Sequence, residues 1–106
     1  MLKLVFYVPE THLEQVKQAV FRAGAGRWGN YDSCCWQTLG TGQFRPVEGA
    51  KPFLGYVGSV EKVAEWRVEM ICDETVVQAA VYDLFHAHHY EEVDIDMTLL
   101  LELDAQ

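Results

Sequence analysis

All eight glycines of this 106-residue chain lie between Gly24 and Gly58, together with two of its three prolines. Glycine is favoured where the backbone needs a positive φ or where another group approaches the main chain closely. The segments on either side contain no glycine and alternate between strand and helix patterns. The chain therefore predicts a regular scaffold that holds a shaped glycine-rich loop system, residues 24–58, inserted around its second strand.

The glycine-free segments, with residues 31–39, predict four strands and two helices. Period-two alternation of apolar side chains is typical of strands, and it occurs over residues 2–8, 31–39, 62–72 and 92–101. Thr11 and Glu14 have the spacing of a capping box, which begins a helix that Gly24 is suited to end. Asp73 is a favourable N-cap for a second helix that reaches about residue 88. Turn signals after residue 39 are too dense for regular structure throughout, although a short hairpin could lie there.

The order β-α-β-β-α-β predicts an α+β fold of the ferredoxin-like type, with one antiparallel sheet and both helices on one face. The helices are expected to cover Leu4, Phe6, Val68, Met70, Ile95 and Met97. The second helix is expected to bury Val77, Ala80, Val81, Leu84 and Phe85. In the last strand Val93, Ile95, Met97, Leu99 and Leu101 are expected to point inward.

The opposite face of the sheet would mix apolar side chains with charges of both signs. Val5 and Tyr7 would be partly exposed there unless a second copy covers them. Alternating charges on an antiparallel strand are also ordinary on a solvated face. The predicted interface between copies consists of Tyr7, Glu65, Arg67 and Glu69.

Composition limits the class of partner. The formal net charge is −8 and no stretch concentrates Lys or Arg, whereas nucleic-acid surfaces need clustered cations. No segment approaches the roughly 20 apolar residues of a membrane span. Three cysteines, two of them adjacent, form a poor disulfide framework. These features predict a single cytoplasmic domain over residues 1–106 that binds neither nucleic acid nor membrane.

Two glycine motifs suggest phosphate binding, and one of them is rejected. Residues 24–29 match the GxGxxG fingerprint literally, but here the glycines follow a helix and lead into a strand. The dinucleotide fingerprint needs the reverse order, so that a helix N-terminus meets the pyrophosphate. Residues 40–46, Gly-Thr-Gly-Gln-Phe-Arg-Pro, could instead hold an anion between exposed amides and Arg45. A bulged strand end that packs Phe44 is the alternative.

Imidazole and thiol groups suggest a metal site. Three histidines and two carboxylates occur within residues 86–92, and such ligands suit divalent zinc, copper or nickel. Placement at a helix C-terminus, where cationic groups are favoured, is the alternative interpretation. The candidate metal ligands are Cys34, Cys35, His86, His88 and His89. No catalytic residue is predicted, because no base can be paired with a thiol.

Several motifs resemble the inserted domain of YqfO-like proteins, which belong to the dinuclear-metal family labelled GTP cyclohydrolase I type 2-like. The similarity covers residues 2–98 and rests on Gly24-Ala-Gly26, Gly29-Asn-Tyr31, Gln37-Thr38, Gly40-Thr-Gly42-Gln-Phe-Arg-Pro46, Glu65-Trp-Arg67-Val-Glu69 and His88-His-Tyr-Glu-Glu92. It implies a ferredoxin-like fold similar to PII signalling proteins and CutA, and a homo-oligomer, with a trimer favoured over a dimer.

The resemblance does not carry the metal chemistry of that family to this sequence. In the family the two metals are held by residues of flanking domains that this sequence lacks. Cys35 and His89 also replace the Ser and Pro expected in the pattern, which favours the metal hypothesis slightly.

The leading hypothesis is a stand-alone, non-enzymatic PII/CutA-like domain that binds a small ligand or a partner protein through residues 24–58. The expected ligand-binding residues are Arg27, Tyr31, Gln37, Thr41, Gln43, Arg45 and His89. One alternative is a CutA-like divalent metal-binding protein, so the cofactor is either unknown or a divalent metal. Another alternative is a small enzyme with an intersubunit site.

Overall fold

The computed structural model describes residues 1–51, 55–88 and 93–101. In chain order the elements are β1 (Leu2–Pro9), a 3-10 turn (Glu10–His12), α1 (Leu13–Arg22), β2 (Trp36–Phe44), β3 (Glu61–Cys72), α2 (Val77–Ala87) and β4 (Ile95–Leu99). This order confirms the predicted ferredoxin-like α+β fold.

The sheet has the strand order β2-β3-β1-β4, and every neighbouring pair is antiparallel. In the long central pairing of β1 with β3, Leu2 lies opposite Cys72 and Pro9 lies opposite Glu65. Paired residues project to the same face, so this register places the helix-facing residues of β1 beside apolar residues of β3: Leu2, Leu4, Phe6 and Val8 lie opposite Cys72, Met70, Val68 and Trp66. The two central strands therefore supply most of the helix-facing surface of the sheet.

The core lies between this helix-facing surface and the two helices. Leu4, Phe6 and Val8 of β1 are completely buried, as are Val16 and Val20 of α1. Burying a side chain of this size stabilises the fold by about 1.5–3 kcal/mol. Alternation in β1 and helical spacing in α1 thus bring the apolar positions of both elements into one cluster.

Helix α1 ends as predicted but begins differently. Gly24 has φ 111°, its N–H donates to Phe21 O at 3.0 Å, and Ala25 N–H donates to Val20 O at 3.1 Å. These two bonds form a Schellman motif around the glycine. The predicted capping box is wrong, because no side chain caps α1 and the Thr11 hydroxyl bonds to His12 Nδ1 instead.

Helix α2 begins four residues after its predicted cap. Asp73 Oδ1 accepts hydrogen bonds from the Thr75 N–H and hydroxyl, and Asp73 O accepts from Val76 N–H. Asp73 therefore closes a turn that precedes the helix. Ala80 and Leu84 are buried as expected, but Phe85 is 50% exposed because it lies outside the stripe that contacts the core.

Both edge strands differ from their predicted bounds. β2 runs through Gly40 and Gly42, where a loop was expected, because β3 is long enough to pair with it as far as Phe44. β4 is shorter than predicted. Met97 and Leu99 are more than half exposed, and so is Leu101 beyond the strand. The expected burial of these three side chains is therefore wrong, while Ile95 packs against the core.

The segment between α1 and β2 is fixed to the sheet through Gly26. Gly26 N–H donates to Ile71 O at 2.8 Å, and Gly26 O accepts from Cys34 N–H at 2.8 Å. Its φ is 75°, and a Cβ there would lie 2.8 Å from both Cys34 O and Phe21 Cε1. Any residue other than glycine at position 26 would therefore require the surrounding atoms to move.

Neither helix in the described part of the chain is long and apolar enough to cross a bilayer.

Substituting Gly26→Ala should lower the free energy of unfolding by about 2 kcal/mol or more, because backbone strain and a steric overlap are added together. Gly29→Ala is the matched control, since Gly29 also has positive φ (57°) but nothing lies within 4 Å of its Cβ position. It should lose about 1 kcal/mol. Urea unfolding measures both, and equal losses would contradict the steric argument.

Candidate functional site

A tight turn presents two aromatic side chains beside the sheet. Trp28 and Tyr31 exchange two main-chain hydrogen bonds, each 2.9 Å long, around Gly29 and Asn30. The exposed fractions of the two aromatic side chains are 63% and 74%. Large aromatic groups held this far into solvent by a fixed turn are suited to contact another molecule.

An open cleft of about 460 Å³ lies between this turn and the helix-free face of the sheet. Its wall is formed by Lys3, Trp28, Cys34, Cys35, Trp36, Glu69, Met70 and Ile71. The register explains the grouping, since Lys3 lies opposite Ile71 and Trp36 lies opposite Glu69. A volume of this size suits a small ligand.

A chain of polar contacts runs from the cleft along the helix-free face. Glu69 Oε1 lies 3.3 Å from Lys3 Nζ and 3.5 Å from Arg67 Nη2, and Arg67 Nη1 donates to the Tyr7 hydroxyl at 3.0 Å. Exposed ion pairs of this kind each contribute about 0–1 kcal/mol. The contacts order the side chains more than they stabilise the fold, and they join three of the four predicted interface residues.

The side chain of Val5 is more buried than the sequence pattern predicted. It was expected to be exposed without a second copy, but it is only 3% exposed in the single chain. Val5 lies opposite Glu69 of β3 and Asp96 of β4, and Lys3 and Tyr7 flank it on the same face of β1. The face therefore carries an ordered polar surface over a buried aliphatic side chain.

The fourth predicted interface residue, Glu65, lies over a glycine of β2. A Cβ added at Gly42 would overlap Glu65 Oε1, so the glycine leaves the space that this carboxylate occupies. Burial raises the pKa of Glu65, and the nearby Asp94 carboxylate adds to the increase. Glu65 is thus a carboxylate whose charge is disfavoured by its surroundings.

The predicted ligand residues divide among three places. Arg27 and Tyr31 are exposed in the segment that borders the cleft, and Arg45 is exposed just beyond the end of β2. The register places Gln37, Thr41 and Gln43 on the helix-facing side of β2, opposite Val68, Ala64 and Lys62. His89 lies outside the described residues.

The four predicted metal ligands that the structure describes do not converge. Cys34 and Cys35 line the cleft near Ile71, whereas His88 is buried and its Nε2 lies 2.6 Å from Tyr7 O, toward the other end of β1. His86 Nδ1 bonds to Tyr82 O within α2. In residues 1–51, 55–88 and 93–101 no three His, Cys, Asp or Glu side chains form a metal-binding group.

Sequence reasoning missed the contribution of Lys3, Trp28 and Trp36 to the cleft. Lys3 had a usable signal, because it alternates away from the core positions of β1. The two tryptophans lie in residues 24–58, the segment expected to bind a ligand, but the sequence pattern does not show that they share a cleft with Lys3. Their common location depends on the Gly26 anchor, which only the folded chain shows.

Comparison with known proteins relates the chain to one segment of larger proteins. It is 44% identical over 99 residues to a "GTP cyclohydrolase 1 type 2 homolog" of Mycobacterium leprae, which covers 93% of this chain and 26% of that protein. The solved structure of a Bacillus cereus protein related to NIF3 matches with a TM-score of 0.78 and 40% identity, covering 91% of this chain and 24% of that one. The chain thus spans about a quarter of the length of these relatives.

A more distant likeness concerns the fold alone. The periplasmic divalent cation tolerance protein CutA from Archaeoglobus fulgidus has a TM-score of 0.69 at 11% identity, and the match covers 99% of this chain and 89% of that one. The chain matches no established protein-family model.

Substituting Glu65→Gln should change how stability depends on pH. Because the folded pKa lies above that of the unfolded chain, Glu65 makes the free energy of unfolding fall as pH rises through the folded value. The variant should lack this part of the decline. At pH values above the folded pKa of Glu65, it should therefore be more stable than the parent. Thermal unfolding between about pH 4 and about pH 8 measures the difference.

Gly42→Ala should displace the same carboxylate into water and reduce the same slope. Gly40→Ala is its control, because the nearest atom to a Cβ there is Glu65 O at 4.0 Å. Parallel stability curves for the parent and Glu65→Gln would contradict the raised pKa.

Proposed function

Because this chain is homologous to one segment of the proteins named GTP cyclohydrolase 1 type 2 homolog and shares the fold of CutA, we propose that it is a PII/CutA-like binding domain. In this proposal it is non-catalytic, associates with copies of itself through the helix-free face, and binds a small ligand or a partner protein through residues 24–58. The observation that supports this proposal is that the helix-free face of the sheet is uncovered and that its side chains are ordered by contacts with one another.

A sheet normally buries its apolar face against another layer. Here the helices supply that layer on one side, and the other side carries side chains already held in place by Lys3–Glu69 and Arg67–Tyr7 contacts. Trp36 is 63% exposed on the same surface. Ordered polar groups beside an exposed tryptophan lose little conformational entropy on association, which favours a specific protein contact.

The charges on this face favour a contact between non-equivalent positions of two copies. The cations of the face are Lys3 and Arg67, and both contact Glu69. The other carboxylates that the paired strands carry on this face are those of Glu61, Glu65 and Asp96, and Asp94 lies near Glu65. A head-to-head contact would bring carboxylates together, whereas an offset contact places Arg67 of one copy against a carboxylate of the next. The resemblance to PII-like proteins favours three copies, and a dimer is the alternative.

The cleft is the ligand site that this arrangement supports best. It opens at the same face, so a neighbouring copy would close it and exclude water from its tryptophan walls. Trp28 and Trp36 can stack on a flat group, and Lys3 lines the cleft beside Glu69. Arg27 precedes the lining residue Trp28 in the chain, and Tyr31 pairs with Trp28 through the main chain.

A catalytic role is not proposed. The Cys34 and Cys72 thiols point to the main-chain carbonyl oxygens of Asp32 and Asp73, at 3.6 and 3.5 Å, instead of to a base. A thiol is a weak nucleophile unless a base activates it, and neither of these two thiols contacts one among the described residues. The separate placement of the described cysteines and histidines likewise gives no support to a shared divalent metal site.

Arg67→Ala should weaken self-association at least about tenfold, since it removes the contact that an offset interface depends on. Arg22→Ala is the matched control, because Arg22 is exposed at the end of α1, on the helix side. Light scattering at several protein concentrations measures the effect. A parent chain that is monomeric at every concentration, or equal loss in both variants, would contradict the proposed interface.

Native mass spectrometry of the same samples tests the ligand site. A co-purified small molecule bound in the cleft should be lost from Trp36→Ala and kept by Arg45→Ala. The opposite pattern would favour anion binding by residues 40–46 and would refute the cleft.

A further inference from the structure

Two adjacent thiols share the wall of the cleft. Cys34 and Cys35 are both free, the first half-buried and the second exposed, and both line the space bounded by Trp28 and Trp36. The backbone that carries them is fixed, because Cys34 N–H donates to Gly26 O, and Gly26 N–H in turn donates to Ile71 O of β3. Two neighbouring cysteines thus line one cavity on a segment that is anchored to the sheet.

Adjacent cysteines are poorly placed to bond directly to each other. Consecutive Cα atoms are about 3.8 Å apart across a trans peptide, whereas unstrained disulfides span about 4.4–6.8 Å. A direct Cys34–Cys35 bond would therefore be strained and easily reduced. An atom inserted between the two sulfurs lengthens the bridge by one bond and relieves that strain.

We infer that Cys34 and Cys35 form a bidentate site for a soft thiophilic centre, of the chemical class of a trivalent organoarsenical. Thiolates are the soft ligands among protein side chains, and two cysteines are among the described residues that line the cleft. The tryptophan walls favour an organic substituent on the bound atom. This site differs from the divalent metal site expected from the sequence, and it does not depend on self-association.

The reaction with phenylarsine oxide is balanced without an oxidant or a reductant. Two S–H bonds and the arsenic–oxygen bond break, two arsenic–sulfur bonds form, and one water molecule leaves. Arsenic stays trivalent throughout. The weak contact from Cys34 Sγ to Asp32 O, 3.6 Å long, is lost in the product, and its loss costs little because a thiol is a weak donor.

The third cysteine serves as an internal control. Cys72 is 1% exposed and belongs to the core. Burial raises the pKa of its thiol, and the Asp73 carboxylate adds to the increase, so little thiolate is available there. The folded chain should therefore bind one arsenical, at the cleft.

The experiment treats the reduced, folded chain with phenylarsine oxide and determines stoichiometry by intact-mass measurement. We expect one adduct per chain, with a change in tryptophan fluorescence from Trp28 and Trp36. Cys34→Ser and Cys35→Ser should each weaken binding about 100-fold or more, because the second sulfur acts at high effective concentration. Cys72→Ala should bind like the parent, and far-UV circular dichroism verifies that each variant is folded.

Competition distinguishes two-sulfur binding from attachment to one thiol. A small vicinal dithiol should remove the arsenical, and the same concentration of a monothiol should leave it in place. Three results would overturn the inference: no adduct on the folded parent chain, unchanged binding after either single substitution in the cleft, or an adduct that maps to Cys72.

Discussion

The antiparallel pairing of β1 with β3 is the constraint on which the rest of this structure depends. Their register, from Leu2 opposite Cys72 to Pro9 opposite Glu65, places Leu4, Phe6 and Val8 on the helix side and Lys3, Val5 and Tyr7 on the other. A shift by one residue would exchange the two faces. The same pairing that forms the core thus also brings Lys3 to Ile71 at the cleft and Tyr7 to Arg67 on the open face.

Much of the fold followed from local patterns, and the reasons for the failures are physical. Alternation predicted β3 within one residue of its observed limits, and Gly24 ended α1 as expected. Asp73 failed as a helix cap because its carboxylate is used by the Thr75 turn. The extension of β2 through Gly40 and Gly42 was not predictable from its own residues, because it depends on pairing with β3 and on the space that Glu65 occupies.

Local patterns indicate less about the candidate site than about the fold, because the residues around the cleft come from distant parts of the chain. Sequence reasoning identified Tyr7, Arg67 and Glu69 as one group, since alternation alone puts them on one face. It gave Gln37, Thr41 and Gln43 a shared role with Arg27, although β2 carries those three toward the helices. The cleft itself could not be predicted, because the Gly26 anchor that forms it is a contact between a loop and a strand edge.

The Gly26 anchor fixes the main chain of the cleft independently of the exposed side chains that line it. Gly26 joins the last turn of α1, the edge of β3 and the start of the cleft through main-chain bonds and a close contact with Phe21. The shape of the cleft is therefore determined by contacts with the packed interior. The side chains of Trp28, Cys35 and Trp36, in contrast, project into solvent. Substitutions at these three positions can therefore change what the cleft binds without altering the main-chain contacts that shape it.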